Sequence, residues 1–102
     1  KFAQRATLPD FDVRGGLVGS TLVQLFSWDE TTFLRSTEGS PIRRIGHERW
    51  LRNIAVAMGN ALQQPLQAQS HAQIRHALSI RLDHASATVR EHVQWALAQT
   101  MS

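Results

Sequence analysis

Apolar residues recur at helical spacing along most of the chain from residue 20 onward. Leu22, Leu25 and Phe26 form the first stripe. It is followed by Ser27-Trp28-Asp29-Glu30, whose S-x-x-E form is typical of a capping box at the start of a helix. We expect this second helix to extend to about Thr37 and to end at Gly39 in the left-handed conformation. The spacing therefore predicts helices rather than strands.

The middle of the chain carries the strongest helical pattern. Ser40 is placed as an N-cap with Pro41 at the first helical position, so a short turn should carry Arg43 and Arg44. Gly46 separates this turn from a longer helix over about residues 47–61. On a helical projection its apolar side consists of Trp50, Ile54, Ala57, Met58 and Ala61. Its opposite, polar side consists of Arg49, Arg52, Asn53 and Asn60.

Two further helices are predicted towards the end of the chain. A second capping box, from Ser70 to Gln73, opens a helix whose apolar stripe is Ile74, Ala77, Leu78 and Leu82. Ser86 is expected to cap the last helix, whose stripe is Val89, Val93, Ala96 and Leu97. Trp95 lies off that stripe, so we expect it to cover a neighbouring element.

The last stripe repeats the stripe of the middle helix. Each of its four positions is offset by 39 residues, as from Trp50 to Val89. This period is close to the roughly 40 residues of HEAT-type repeats. The predicted fold is therefore an all-α, HEAT-like domain of about two helix pairs, residues 20–102, preceded by an irregular arm, residues 1–19, and a short helix. A plain helical bundle remains the alternative.

Positive charge is concentrated in one part of the chain. Eleven Lys and Arg against eight Asp and Glu give a net charge of +3, and all of these cations except Lys1 are arginines. Residues 35–52 hold five arginines and two acids, which accounts for the whole net charge. Arginine binds phosphate with a rigid planar fork. The candidate phosphate-binding residues are Arg43, Arg44, Arg49 and Arg52, with Arg35 as a weaker fifth and Ser40 at a helix N-terminus.

A solvated charged face is the alternative to a phosphate-binding surface. If phosphate is bound, such a surface positions RNA by its shape and backbone rather than by reading bases. Trp28, near a helix start, is the one tryptophan that remains a candidate for stacking on a base.

Other chemistry finds little support in the sequence. The chain has no cysteine, so it holds no disulfide and no cysteine-bound cluster, and it is compatible with a reducing cytoplasm. No apolar run approaches the roughly 20 residues needed to cross a bilayer. None of the five histidines has the H-x-x-x-H spacing of a helical metal site. We therefore predict no catalytic residue, metal or cofactor in this chain, and no membrane contact.

One long motif resembles a known family. Gly39, Ser40, Ile42, Arg43 and Arg44 form GS-x-I-R-R, and Trp50 to Asn60 form W-x-R-N-x-A-V-A-x-G-N. Both resemble the C-terminal tail of epoxyqueuosine reductases. In that family the last cluster cysteine stands in C-P-W-N-K-F-A, so Lys1, Phe2 and Ala3 look like the residues that follow it. The resemblance covers essentially the whole chain and implies a fragment of an enzyme.

The resemblance implies a role in tRNA modification. Epoxyqueuosine reductases are oxidoreductases that reduce epoxyqueuosine to queuosine in the tRNA anticodon loop. They hold cobalamin in an N-terminal domain and two 4Fe-4S clusters in a ferredoxin-like part, and a C-terminal HEAT-like region helps to grip the tRNA. This chain would be that region of a cytoplasmic enzyme, with the anticodon stem-loop and the upstream ferredoxin-like domain as its partners.

Two alternatives stay open. In one, the same arginines pack against the enzyme's own ferredoxin-like part, and the module holds domains together. In the other, the chain is a HEAT-like protein-binding scaffold without an RNA role.

Overall fold

The all-α prediction is confirmed for the part of the chain that the structure describes. The computed structural model describes the backbone of residues 17–99 and the side chains of residues 21–99. This range contains no strand. Its helices are α1 (Leu17–Phe26), α2 (Glu30–Ser36), a 3₁₀ helix (Pro41–Ile45), α3 (Gly46–Leu62), α4 (Ala68–Ile80) and α5 (Ala87–Ala98).

Helix α1 begins at Leu17, so residues 17–19, which the sequence placed in the irregular arm, are helical. The rest of the predicted arm, residues 1–16, lies outside the described residues.

The helices pack as two neighbouring pairs. Helix α1 packs on α3, and α4 packs on α5. The two pairs contact each other through corresponding helices. The first helix of one pair, α1, packs on the first of the other, α4, and α3 packs most extensively on α5. Stacked helix pairs of this kind are the building plan of helical repeats. The arrangement is consistent with the HEAT-like prediction, and it places the two stripes offset by 39 residues on the two helices with the largest contact.

Helix α3 is the central element of the core. Four of the five residues predicted for its apolar side are buried, and Ala57 is half-buried. A second group, Leu51, Ala55 and Leu62, is also completely buried, although the helical projection did not include it. Because α3 contacts all the other elements, it is covered on more than one side. Only a narrow strip of the helix, including Glu48 and Arg49, faces solvent.

The contact between α3 and α5 is closest at Gly59. A Cβ atom on this residue would lie 2.5 Å from Cζ3 of Trp95 and 3.0 Å from Cα of Ala96. Real side chains do not tolerate such distances, so only glycine allows the two helices to approach this closely. Trp95 thus lies against α3, as expected from its position off the α5 stripe.

Both predicted capping boxes are wrong. Helix α2 begins at Glu30, so Asp29 occupies the N-cap and its Oδ1 accepts a hydrogen bond from the Thr32 amide at 2.8 Å. The Ser27 hydroxyl instead donates to the Gln24 carbonyl, at the end of α1. A residue three positions before the helix is too far from its free amides to cap it.

The second error concerns α4, which begins at Ala68. Ser70 therefore lies inside the first turn, where it is buried, and the N-cap Gln67 makes no side-chain capping bond. Leu82 lies beyond the end of α4 and is 39% exposed, so it does not belong to the buried stripe.

The remaining helix boundaries agree with the sequence. Oγ of Ser40 accepts from the Ile42 amide, and Oγ of Ser86 accepts from the Val89 amide, each at 3.2 Å. Gly39 and Gly46 have φ angles of 82° and 84°, in the left-handed region that favours glycine. Gly39 stands in the turn after the C-cap of α2, which is Thr37.

Candidate nucleic-acid interface

The five predicted arginines lie on three successive elements. Arg35 lies in the last turn of α2, Arg43 and Arg44 lie in the 3₁₀ helix, and Arg49 and Arg52 lie one turn apart on α3. Both α2 and the 3₁₀ helix pack on α3. We call these five residues the basic surface. Four of them are exposed and Arg52 is half-buried.

Arg43 joins two of these elements. Its Nε donates to the Leu34 carbonyl at 3.1 Å, in the last turn of α2, where helical carbonyls lack intrahelical partners. This bond uses one of the five N–H donors of the guanidinium. The terminal nitrogens carry the remaining four, so Arg43 can be fixed at its base and still bind an acceptor.

The acids close to these arginines in sequence do not neutralise them. The Glu48 carboxylate accepts a hydrogen bond from Oγ of Ser86, at the start of α5. Among residues 21–99, neither Glu38 nor Glu48 forms a salt bridge with an arginine of the basic surface. Uncompensated arginines on neighbouring elements favour an anionic partner.

Arg52 differs from the other four arginines. Its Nε and the Nδ2 of the adjacent Asn53 are buried and have no hydrogen-bond partner among residues 21–99. A buried donor without an acceptor costs about 1–3 kcal/mol, and nothing in the described residues explains why this pair is retained. Because Nε of Arg52 is enclosed, an outside anion could reach only the terminal nitrogens.

Ser40 has a different setting from the one predicted. The element that it caps is a 3₁₀ helix of five residues, not an α-helix. So short a helix has little dipole, so phosphate binding at Ser40 rests on its hydroxyl rather than on a helix N-terminus and stays a prediction. Oγ of Ser40 accepts from the Ile42 amide, and its O–H group remains a donor.

Trp28 is part of the folded framework, and one face of its ring is covered. It stacks on Trp50 with ring centroids 5.5 Å apart and an interplanar angle of 8°. Trp50 in turn contacts Phe33 of α2 at 5.2 Å. The half-buried Trp28 ring therefore attaches the start of α2 to α3, and base stacking by its other face stays a prediction.

A cluster of side chains at the end of α1 was not predicted from the sequence. The Trp50 indole donates to the Leu25 carbonyl at 3.2 Å, and Nε2 of His47 donates to the Trp28 carbonyl at 2.7 Å. These side chains come from α3 and bind carbonyls at and just beyond the end of α1, where the Leu25 carbonyl also accepts the Trp28 amide at 3.3 Å. Their sequence distances, 25 and 19 residues, exceed the span of any local pattern.

Arg81 completes this cluster from the other helix pair. Its Nε donates to the Phe26 carbonyl at 3.0 Å and a terminal nitrogen donates to the Trp28 carbonyl at 3.3 Å. The guanidinium also lies 5.3 Å from the centre of the Phe26 ring. Burial lowers the pKa of Arg81, but an arginine stays charged at neutral pH.

Neither a metal site nor a membrane span is found in the described range. No group of three or more His, Cys, Asp or Glu residues between residues 21 and 99 is arranged to hold a metal ion. In the same part of the chain, no helix combines the length and apolar character that crossing a bilayer requires.

Comparison with known proteins identifies relatives with a single shared name. The chain is 65% identical over 99 residues to the epoxyqueuosine reductase of Alicycliphilus denitrificans, covering 97% of this chain and 28% of that protein. It is 59% identical to the epoxyqueuosine reductase of Xanthomonas campestris pv. campestris, covering 97% and 26%. For the Escherichia coli K12 protein of the same name the identity is 46%, covering 97% and 24%.

No family model and no solved structure matches the chain. The chain spans about a quarter of the length of the curated relatives that it matches. High identity over nearly all of its residues nevertheless shows that the chain belongs to the epoxyqueuosine reductase family and corresponds to a part of such a protein.

Proposed function

We propose that this chain is the tRNA-binding helical module of an epoxyqueuosine reductase, and that its basic surface contacts tRNA phosphates. The observation that carries the proposal is the set of five arginines on three packed elements, none of which forms a salt bridge with Glu38 or Glu48 in the part of the chain that the structure describes. Phosphate oxygens are the acceptors that guanidinium groups bind most strongly.

The arginines contribute to different degrees. Arg44 and Arg49 lead the contact because both are exposed and, within residues 21–99, neither makes a hydrogen bond or ion pair through its side chain. Arg43 is oriented by its bond to Leu34 and binds through its terminal nitrogens. Arg52 contributes only terminal nitrogens, and Arg35 is a weaker contact because its charge also interacts with the Asp29 carboxylate. Ser40 donates its hydroxyl.

The relatives' name supports a nucleic-acid partner. They are named for the reduction of epoxyqueuosine, and the resemblance to their family implies that this nucleoside lies in the anticodon loop of tRNA. An enzyme that acts on one nucleoside of a folded RNA needs contacts that position the RNA backbone. In our proposal the module supplies such contacts to the anticodon stem-loop, in the cytoplasm.

The residues of this chain do not fit the cofactors that the family implies. The sequence contains no cysteine, and thiolates are the usual ligands of iron-sulfur clusters. We therefore propose that the 4Fe-4S clusters and the cobalamin of the parent enzyme are held elsewhere in the longer protein. The reductive chemistry belongs to that part, and this module contributes binding.

A binding measurement with charge-matched variants tests the proposal. One variant carries Arg44→Gln and Arg49→Gln, and its control carries Gln73→Glu and Gln94→Glu, at exposed positions of α4 and α5. Both lower the net charge by the same amount. We expect the wild-type chain to shift an anticodon stem-loop in a gel. The arginine variant should lose more than about tenfold in affinity, because charge-assisted hydrogen bonds are worth roughly 1.5–3 kcal/mol each.

Two outcomes would overturn the proposal. An equal loss in both variants would mean that only overall charge matters. Absence of binding by the wild-type chain would instead favour the reading in which the arginines dock against the enzyme's own ferredoxin-like part.

A further inference from the structure

We infer that Arg81 is a positioning residue for the basic surface, an inference that rests on the proposed function. Residues 27–45, between α1 and α3, contain α2 and the 3₁₀ helix and carry Arg35, Arg43 and Arg44. The RNA contacts of these arginines depend on how this segment is held against the helical core. Arg81, which lies outside the basic surface, holds the point at which the segment leaves α1.

The first step of the argument is the junction itself. Trp28 is the last residue but one before α2 begins. Its carbonyl accepts hydrogen bonds from both His47 and Arg81, and its ring stacks on Trp50. The second bond from Arg81, to Phe26, fixes the end of α1 directly before this junction. Arg81 therefore spans the end of one element and the start of the next.

The second step connects the junction to the basic surface. Helix α2 has seven residues, so movement of its first residue is transmitted to its last turn. That last turn holds Arg35 and the Leu34 carbonyl, to which Arg43 is bound. The orientation of α2 thus determines where the guanidinium of Arg43 lies. Contacts run in an unbroken series from Arg81 through Trp28 and α2 to Arg43.

The third step is that Arg81 does not bind RNA itself. Its guanidinium is half-buried and already engaged with two carbonyls and the Phe26 ring. Lysine cannot replace it fully, since a single ammonium group lacks the planar fork that reaches both carbonyls.

The chain contains a matched control for this arginine. Arg90 also donates to loop carbonyls, those of His84 at 2.6 Å and Ala85 at 3.1 Å. These bonds lie within the connection of the second helix pair. Arg90→Gln and Arg81→Gln therefore remove the same charge and the same kind of contact, but only Arg81→Gln releases the junction at Trp28.

The test is a double-mutant cycle between Arg81 and Arg43, measured as affinity for an anticodon stem-loop. We expect Arg81→Gln to weaken binding roughly threefold to tenfold, the size of couplings within one hydrogen-bond network. Adding Arg43→Gln to Arg81→Gln should then cost much less than it costs in the wild type. Arg90→Gln should change affinity little, and its effect should add to that of Arg43→Gln.

Near-ultraviolet circular dichroism provides the second readout. The stacked Trp28–Trp50 pair should give a signal that Arg81→Gln alters and Arg90→Gln leaves unchanged. If Arg81→Gln fails to fold, Arg81→Lys retains the charge on a single donor nitrogen, and an intermediate loss of affinity with the same coupling to Arg43 is expected.

Strict additivity of the Arg81 and Arg43 substitutions would overturn the inference. So would a loss in Arg81→Gln no larger than that in Arg90→Gln. Either result leaves the proposed function standing, because that function is tested separately by the Arg44 and Arg49 variant and its charge-matched control.

Discussion

The two helix pairs differ most in the segment that joins their members. Between α1 and α3, residues 27–45 form a long excursion with two short helices and three of the five candidate arginines. Between α4 and α5, residues 81–86 form a short turn without a helix. The two pairs have the same helical scaffold, and most of the candidate arginines lie in the long connection of the first pair. That connection is attached to the core by aromatic stacking and by the side chains that contact the end of α1.

The largest effect should come from removing the aromatic anchor of the first pair. Trp50→Ala deletes the stack on Trp28, the contact with Phe33 and the bond to Leu25, and should cost about 3–5 kcal/mol in unfolding free energy. The equivalent change in the second pair, Val89→Ala, removes far fewer buried atoms. Urea unfolding of both variants measures the difference, and equal losses would show that the first pair has no special anchor.

A smaller loss is expected at the contact between the pairs. Gly59→Val would place atoms within 2.5 Å of the Trp95 ring, so α3 and α5 must separate, at a cost of about 1–3 kcal/mol. Ala72→Val, at an exposed position of α4, adds the same β-branched side chain without a clash. Thermal unfolding should distinguish them. A Gly59→Val protein as stable as Ala72→Val would mean that the two pairs are not in close contact.

As the pH falls, the connection between α4 and α5 should lose stability at a higher pH than the connection between α1 and α3. Nδ1 of His84 accepts from the Ser86 amide at 3.0 Å, and burial, helped by nearby Arg81 and His47, lowers its pKa from the ordinary 6.5. The unfolded chain therefore binds a proton at a higher pH than the folded chain does. Stability present above pH 6.5 should decrease as the pH falls towards the folded pKa. Denaturant midpoints at several pH values measure this decrease, and His84→Asn should reduce it; an identical pH profile in that variant would contradict the assignment.

The connection between α1 and α3 should lose stability only in stronger acid. This is the smallest of the expected effects. The pKa of Asp29 is lowered from 3.8, chiefly by the hydrogen bond from the Thr32 amide. Its capping contribution is therefore present above pH 3.8 and is lost as the pH falls through the folded pKa. An NMR titration of the carboxyl group should give a midpoint below 3.8, and Asp29→Asn, which still caps, should remove this pH dependence. A midpoint at or above 3.8 would show that α2 is not capped in solution.

The local sequence pattern predicted most of the helices but not the long-range contacts that hold them together. The apolar stripes of α3 and α5 and the caps at Ser40 and Ser86 follow from spacing within one or two turns. Two capping boxes were misplaced, because a motif of this form can match a serine that lies outside a helix or already within it. The second buried side of α3 was missed, since a projection shows which residues are apolar but not how many neighbours surround a helix.

Likewise, only part of the candidate site could be predicted from the sequence. The arginines stand out because residues 35–52 hold five of them and only two acids. The residues that hold them in place do not stand out, because Arg81 acts on carbonyls 53 and 55 residues away. Backbone carbonyls carry no sequence signature, so such a contact is found only in the folded chain.

The salt dependence of tRNA binding tests the central claim most directly. Each arginine that contacts a phosphate releases counterions, and its loss should reduce the slope of log affinity against log salt concentration by about 1. Comparing the wild-type chain with Arg44→Gln/Arg49→Gln on an anticodon stem-loop, we predict a slope lower by about 2. The Gln73→Glu/Gln94→Glu control should keep the wild-type slope. An unchanged slope in the arginine variant would contradict phosphate binding by this surface.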